Sequence, residues 1–233
     1  MLPMADDTNI LRLDRVSVDE SHGYDVGLRD VSLSLDRGQL ALVLLERPHF
    51  NIPLADVAGG VQLADEGTAS FCDRDWCHTL ATRAARQRGS IGRIFSGRAW
   101  VSNLDVDENI LLPQRHYSSR SEEELRSEAE ELAKRFGLAE LPSTRPAQTP
   151  PRDLIKSGCV RAFLGDPKLL LLERPEHGAY PDLMPPLISG LQSLRDKGSA
   201  VLWLTNLNEV FDEPALKPTA RYRMNGPSMN AMS

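Results

Sequence analysis

The side chains able to do chemistry in this 233-residue sequence are scattered along the chain. Cys72, Cys77 and His78 come nearest to a metal-ligand cluster, but no second ligand pair follows at a workable spacing, so a zinc site is not expected. The histidines, His22, His49, His78, His116 and His177, have no serine or cysteine partner at a nucleophile elbow, and hydrolase chemistry has no support. Three cysteines, Cys72, Cys77 and Cys159, are too few and too unevenly placed for a disulfide framework and read as free thiols of a reducing compartment. Cys159 falls on the apolar face of an expected helix, and Trp76 and Trp203 read as structural. With 27 basic residues against 33 acidic, a net charge of -6 and no basic block, nucleic acid is not an expected partner.

The elements that must position any site follow from the hydrophobic pattern. A content of 41% hydrophobic and 26% charged residues is that of a globular domain, which excludes wholesale disorder. LRLDRVSV at 11–18 and LRDVSLSL at 28–35 alternate apolar and polar residues, predicting two strands of an antiparallel layer joined by the turn ESHGYDVG. LALVLL at 40–45, LLLL at 169–172 and VLWLT at 201–205 are continuous apolar runs, the form of strands buried on both faces of a parallel sheet. Each is far shorter than the ~20 apolar residues of a membrane-spanning helix, so work at a membrane would need another chain to span it. MLPMADDTN has no basic stretch leading into an apolar one, and export is not expected.

Ser121-Glu122-Glu123-Glu124 has the form of a capping box, and Leu125, Ala129, Leu132, Ala133 and Phe136 follow at helical spacing, predicting a helix over 121–136. ELPSTRPAQTPPRD at 140–153 holds four prolines and reads as a loop into a second helix over 153–165, opened by Arg152 and Asp153. The stretch after Pro214 is polar and aperiodic, with 224–233 expected to fray. The division expected is a flexible N-terminus over 1–9, one domain over 10–213 with a helical subdomain at about 97–165, and a C-terminal tail over 214–233.

VRAFLGDPKLLLLERPEHG at 160–178 resembles the helix after the signature motif running into the Walker B strand of ABC transporter nucleotide-binding subunits. DVSLSLDRGQLALVL at 30–44 and DEGTASFCDRD at 65–75 look like the strands flanking that family's phosphate loop. IGRIFSGRAWVSNLDVDENILLP at 91–113 is similar to its Q-loop region, particularly in ATPases of Mla-type phospholipid-trafficking permeases. The resemblance runs from about Leu11 to Asp212. It implies an α/β fold of the ABC-type P-loop NTPase kind: a mainly parallel sheet flanked by helices, an N-terminal antiparallel layer and a helical insert.

The family's chemistry needs a phosphate loop of the form GxxxxGK[ST]. The corresponding window here is Leu45, Glu46, Arg47, Pro48, His49, Phe50, Asn51 and Ile52, with Asn51 at the lysine and Ile52 at the Mg²⁺-binding hydroxyl. Pro48 and Pro53 contribute no N–H to a site made of N–H donors. Glu46 brings a like charge that costs a phosphate about 3 kcal/mol at roughly 5 Å and a dielectric of ~20. At Walker B, Glu173 stands at the Mg²⁺-binding aspartate, able to hold a metal if its extra methylene fits. Arg174 stands at the catalytic glutamate, and a guanidinium is no base; a salt bridge from it to Glu173 or Glu176 is the structural reading. The Q-loop glutamine aligns with Ser96, the D-loop aspartate with Tyr180 and the switch histidine with Asn206. Thr149, Pro150, Pro151, Arg152 and Asp153 take the place of the signature, and Tyr24 substitutes for the A-loop aromatic only if its turn folds back.

In the family each ATP is sandwiched between one subunit's phosphate loop and the other's signature, and both halves are replaced here. The resemblance therefore implies a catalytically inactive subunit that binds neither ATP nor Mg²⁺. It would pair as a homodimer or heterodimer with another ABC-type subunit and lie on the inner face of the membrane against a permease, lipid transport being the kind that the Q-loop likeness implies. Trp100, Val101 and Leu104 are the candidate partner contacts, with ordinary core packing as their structural reading. Two alternatives stand beside it: an ATPase that uses Arg47, His49, Arg152 and Glu173 as substitutes, and a soluble adaptor without a transporter.

Overall fold

The computed structural model describes residues 9–46, 51–97, 99–177 and 181–232. The N-terminal alternation forms β1 (Asn9–Val18) and β2 (Leu28–Asp36), paired antiparallel, and β4 (Glu66–Phe71) and β5 (Arg74–Asp75) extend that layer in the order β2-β1-β4-β5. The second sheet has the order β10-β9-β3-β8-β7-β6, with β3 (Leu40–Leu45), β6 (Ile91–Ile94), β7 (Leu169–Glu173), β8 (Ala200–Thr205) and β9 (Ala220–Asn225) parallel to one another. At its edge β10 (Ser228–Met232) runs antiparallel to β9.

The unbroken apolar runs have a direct cause: the central strands feed two cores at once. On one face Leu40, Leu42, Leu44, Leu170, Leu172, Val201 and Trp203 pack under the helices. On the other, Ala41, Val43, Leu45, Leu169, Leu171, Ala200 and Leu202 pack against the antiparallel layer. The helices are α1 (Leu54–Ala58), α2 (Ala81–Arg88), α3 (Val106–Tyr117), α4 (Glu122–Arg135), α5 (Pro151–Phe163), α6 (Met184–Asp196) and α7 (Asn208–Phe211). None is long and apolar enough to cross a membrane.

The capping box of α4 forms as its spacing predicts: the Ser121 hydroxyl accepts from the Glu124 N–H, and the Glu124 carboxylate accepts from the Ser121 N–H at 2.8 Å. Leu125, Ala129, Leu132 and Ala133 are buried on its inner face, and Phe136 meets Phe163 edge-on, ring centroids 5.0 Å apart. Helix α5 begins at Pro151, two residues before the expected start, because proline at the first helical position loses no intrahelical bond and presets φ. It ends at Phe163, short of the expected 165.

The C-terminal stretch expected to fray is instead a hairpin. Ala220–Asn225 pairs with β3, and Ser228–Met232 returns along it, with Met229 opposite Met224. The two loop residues are Gly226 and Pro227, with Gly226 at the first position in a positive φ that glycine adopts without strain.

Strand β6 lies close under α5: a Cβ added to Gly92 would stand 1.9 Å from the Ala162 carbonyl oxygen. A Cβ added to Gly158, on the same helix, meets nothing within 4 Å. Gly92→Ala should therefore destabilise the protein by about 3 kcal/mol, and Gly158→Ala should stabilise it by about 0.8 kcal/mol. Urea unfolding of the two variants checks both signs.

Candidate functional site

In open parallel sheets the ligand crevice lies beyond the carboxyl ends of the strands. Here that edge is formed by the segments that follow β3, β6, β7 and β8. Of the expected phosphate loop, Arg47, Pro48, His49 and Phe50 lie outside the described residues, as does Tyr180. Leu45 and Ile52 are buried with the β-layer core. Glu46 is exposed, its N–H donating to the Met224 carbonyl and its carboxylate 3.5 Å from Arg223. Helix α1 is five residues long and is preceded by Pro53, so its first turn has one N–H fewer to offer an anion.

Asn51, at the lysine position, is turned onto the β1–β2 connection. Its N–H donates to Asp25 at 3.0 Å, its side-chain amide to the Gly23 carbonyl at 2.8 Å, and its own carbonyl accepts from the Asp25 N–H. The turn does fold back, and Tyr24 comes with it: its hydroxyl donates to Asp56 on α1 at 2.8 Å, with the ring half-buried against the core. Burial, then the hydrogen bond to Asp56, pushes the Tyr24 phenol well above its ordinary range.

Asp56 belongs to a buried ion network. Arg93, next to last on β6, donates through Nη1 to Asp56 at 2.6 Å and through Nε to Glu173, the last residue of β7, at 2.7 Å. Its side chain is 12% exposed, and those of Asp56 and Glu173 are 20% and 11% exposed. Burial opposes the charge on Arg93, but the Glu173 and Asp56 carboxylates outweigh burial and raise its pKa. The expected salt bridge ran from Arg174 to Glu173 or Glu176; a guanidinium not expected there, that of Arg93, bonds Glu173. Arg174 is buried in a left-handed conformation, φ 50°, its N–H bonded to the Leu204 carbonyl. Burial lowers its pKa against the opposing charges of Glu173, Glu176 and Asp25.

A divalent cation does not fit this arrangement. Glu173 already accepts from a guanidinium, and Ile52 supplies no oxygen. Placing Mg²⁺ about 4.5 Å from a guanidinium costs roughly 7 kcal/mol at a dielectric of ~20. Among the described residues no group of three or more His, Cys, Asp or Glu converges to hold a metal.

The turn after β7 is closed onto the end of β8. Glu176, fully buried, accepts from the Thr205 hydroxyl at 2.5 Å and the Trp203 indole at 3.2 Å. Beside it His177 Nε2 lies 3.0 Å from the Asn206 side-chain oxygen, which places the switch-position residue in a local pair. Ser96 is exposed just past β6.

At the signature position Thr149 is buried, its hydroxyl 2.9 Å from that of Thr144 and bonded to the Arg145 carbonyl. Pro150 precedes α5 and Pro151 opens it, while Arg152 is exposed, 3.4 Å from Asp182, and Asp153 is half-buried. These residues stay apart from the Glu173 network in the bonding pattern.

The expected partner contacts sit past β6 on an Arg–aromatic stack. The Arg93 guanidinium carbon lies 4.4 Å from the Phe95 ring centre, and that of Arg161 lies 5.5 Å from Phe95 and 4.4 Å from Trp100. Arg161 also donates to the Ala99 carbonyl at 2.6 Å, and burial lowers its pKa to about 10. Phe95 is 41% and Val101 43% exposed. Trp100 is half-buried against the helical core, and Leu104 is half-buried. Asn109, buried under this loop, bonds the Val101 N–H and carbonyl and the Leu104 and Asp105 carbonyls, fixing its path. Reading the sequence missed Arg93, Asp56, Phe95 and Arg161. The one available signal was a charge in the short apolar strand IGRI. Cys159 is fully buried in the helical core, with burial pushing its thiol up to about 12.

Burial raises the Glu176 pKa, with the Thr205 and Trp203 hydrogen bonds acting in the other direction. A carboxyl raised in the folded state contributes its full stability below the unfolded carboxylate range and loses it as pH rises through the folded value. Glu176→Gln does not titrate, so its melting temperature should gain on wild type as pH goes from 4 to 8. A difference that stays constant across the series would contradict the raised pKa.

No protein-family model matches the sequence. Among curated proteins, the lipoprotein-releasing system ATP-binding protein LolD of Maricaulis maris is 29% identical over 215 residues, covering 85% of this chain and 86% of LolD. The arginine transport ATP-binding protein ArgV of Corynebacterium glutamicum is 29% identical over 134 residues, and the methionine import ATP-binding protein MetN of Rhizobium etli is 26% identical over 209. The chain spans 53% of ArgV's length and 57% of MetN's. Among solved structures, the dimeric bacterial ABC transporter cassette MJ0796 superposes with a TM-score of 0.82 at 18% identity, covering 96% of this chain and 99% of that one. The same cassette bound to ADP and Pi in a post-hydrolysis state gives 0.81 at 18% identity. With its β layer, mixed sheet and helices in the same arrangement, this chain has the α/β fold of an ABC-type ATP-binding cassette.

Proposed function

We propose that this chain is a non-hydrolysing subunit of ABC-cassette type that docks on a membrane permease. The observation that carries the reading is the commitment of Glu173 to a buried guanidinium, which leaves the end of β7 no free carboxylate for Mg²⁺. The turn of Asn51 toward the β1–β2 connection supports it, since the lysine position then faces Gly23 and Asp25 rather than a phosphate. In this reading ATP and Mg²⁺ are not cofactors of the chain.

The partner side of the proposal rests on the cassette fold and on the exposed Phe95 and Val101 beside half-buried Trp100 and Leu104. An apolar helix of a permease seated there would cover both exposed side chains. A second cassette-type subunit, identical or not, completes the assembly, as MJ0796 forms a dimer. The chain then lies peripherally at the inner face of the membrane. The names of the relatives speak of arginine, lipoprotein and methionine, and the proposal stops short of a cargo.

The purified protein should release no phosphate from Mg-ATP, and Glu173→Ala should leave that background unchanged; Mg²⁺-dependent release abolished by Glu173→Ala would overturn the reading. Val101→Asp, placing a charge on the face, should cut co-purification with the membrane fraction several-fold without lowering the melting temperature. Undiminished membrane association would remove the face from the proposal.

A further inference from the structure

Arg93 does two things with one side chain. Through Nε and Nη1 it closes the carboxylate pair Glu173 and Asp56, which belong to β7 and α1. Its guanidinium also stacks on Phe95, two residues on, which is shared with Arg161, and Arg161 in turn stacks on Trp100. The contacts run without a gap from the buried carboxylates to the outward face past β6. Both carboxylates bond one guanidinium, Glu173 at Nε and Asp56 at Nη1, and the Tyr24 hydroxyl bonds the other oxygen of Asp56. Two largely buried carboxylates flanking one side chain repel each other if its positive charge is removed, and each loses its charged partner.

We propose that Arg93 is a built-in cation that takes the place of a divalent metal between Asp56 and Glu173 and, through Phe95, holds the Arg161–Trp100 face in one arrangement without any bound ligand. Of the two obstacles to Mg²⁺ described above, the one at Glu173 originates in this side chain. A mobile metal ion can leave; a guanidinium on β6 cannot. The face that Phe95 and Trp100 build is accordingly a fixed property of the fold. Arg93 acts here as a positioning residue.

The inference deepens the non-hydrolysing reading and shares its site, but the two fail differently. ATP turnover by the wild-type protein sinks that reading, whereas the metal response of a variant tests the guanidinium. Arg93→Ser removes the cation and leaves the carboxylates facing a void. With Mn²⁺ as the probe, the variant should bind one ion, seen by electron paramagnetic resonance, and gain about 5 °C in melting temperature at saturation. Arg93→Ser combined with Glu173→Gln should lose that gain, and the wild type should show none. In metal-free samples the indole N–H resonance of Trp100, assigned with Trp100→Phe, should move or broaden in Arg93→Ser and hold its position in Arg93→Lys, which keeps the charge. Absence of a metal response in folded Arg93→Ser, or an unmoved Trp100 resonance, would overturn the proposal. Should Arg93→Ser fail to fold, the wild type carries the test: no Mn²⁺ binding by electron paramagnetic resonance supports the proposal, and Mn²⁺ binding that Glu173→Gln abolishes overturns it.

Discussion

A guanidinium held out of water between two carboxylates is expensive to keep unless every partner stays in place, and removing one partner of such a group typically costs about 3–5 kcal/mol. Arg93 sets that condition on three elements that are far apart in sequence: α1 through Asp56, β7 through Glu173, and its own strand β6. Arg93 and Glu173 stand at the carboxyl ends of β6 and β7, the side on which open parallel sheets bind ligands. Among the described residues, the charged groups at those ends bond one another.

The neighbouring segments follow the same rule. Asn51 bonds the β1–β2 connection, Glu176 bonds Thr205 and Trp203, and His177 meets Asn206. Among the described residues these polar groups have partners within the fold, which meets the general demand that buried polar groups be paired. The frame itself is ordinary: one sheet between two apolar cores, with the parallel strands buried on both sides.

Much of this architecture was legible because apolar periodicity reports burial directly. LALVLL and VLWLT read as doubly buried strands, and each feeds both cores; Ser121 with Glu124 read as a helix start, and the box forms. The C-terminal hairpin was misread because its strands lie at a sheet edge, where half-exposed ARYRMN shows no strong apolar pattern. The turn signal present in the sequence is Gly226-Pro227, with glycine at the first loop position. At the site, comparison with the family's motifs directs attention to Asn51, Ile52 and Glu173 by position alone. What occupies the space could not, since Asp56, Arg93 and Glu173 meet across separations of 37 and 80 residues. Local reasoning considered only Arg174, the nearest arginine in sequence, and the fold brings Arg93 to Glu173 from the adjacent parallel strand.

Calorimetric titration of the purified wild-type chain with Mg-ATP into the millimolar range tests most directly the claim that this crevice is closed by the protein's own groups. The account predicts no saturable heat at any concentration. One-to-one saturable binding would contradict it, because a nucleotide could enter only where the Arg93 network and the Asn51 contacts now stand.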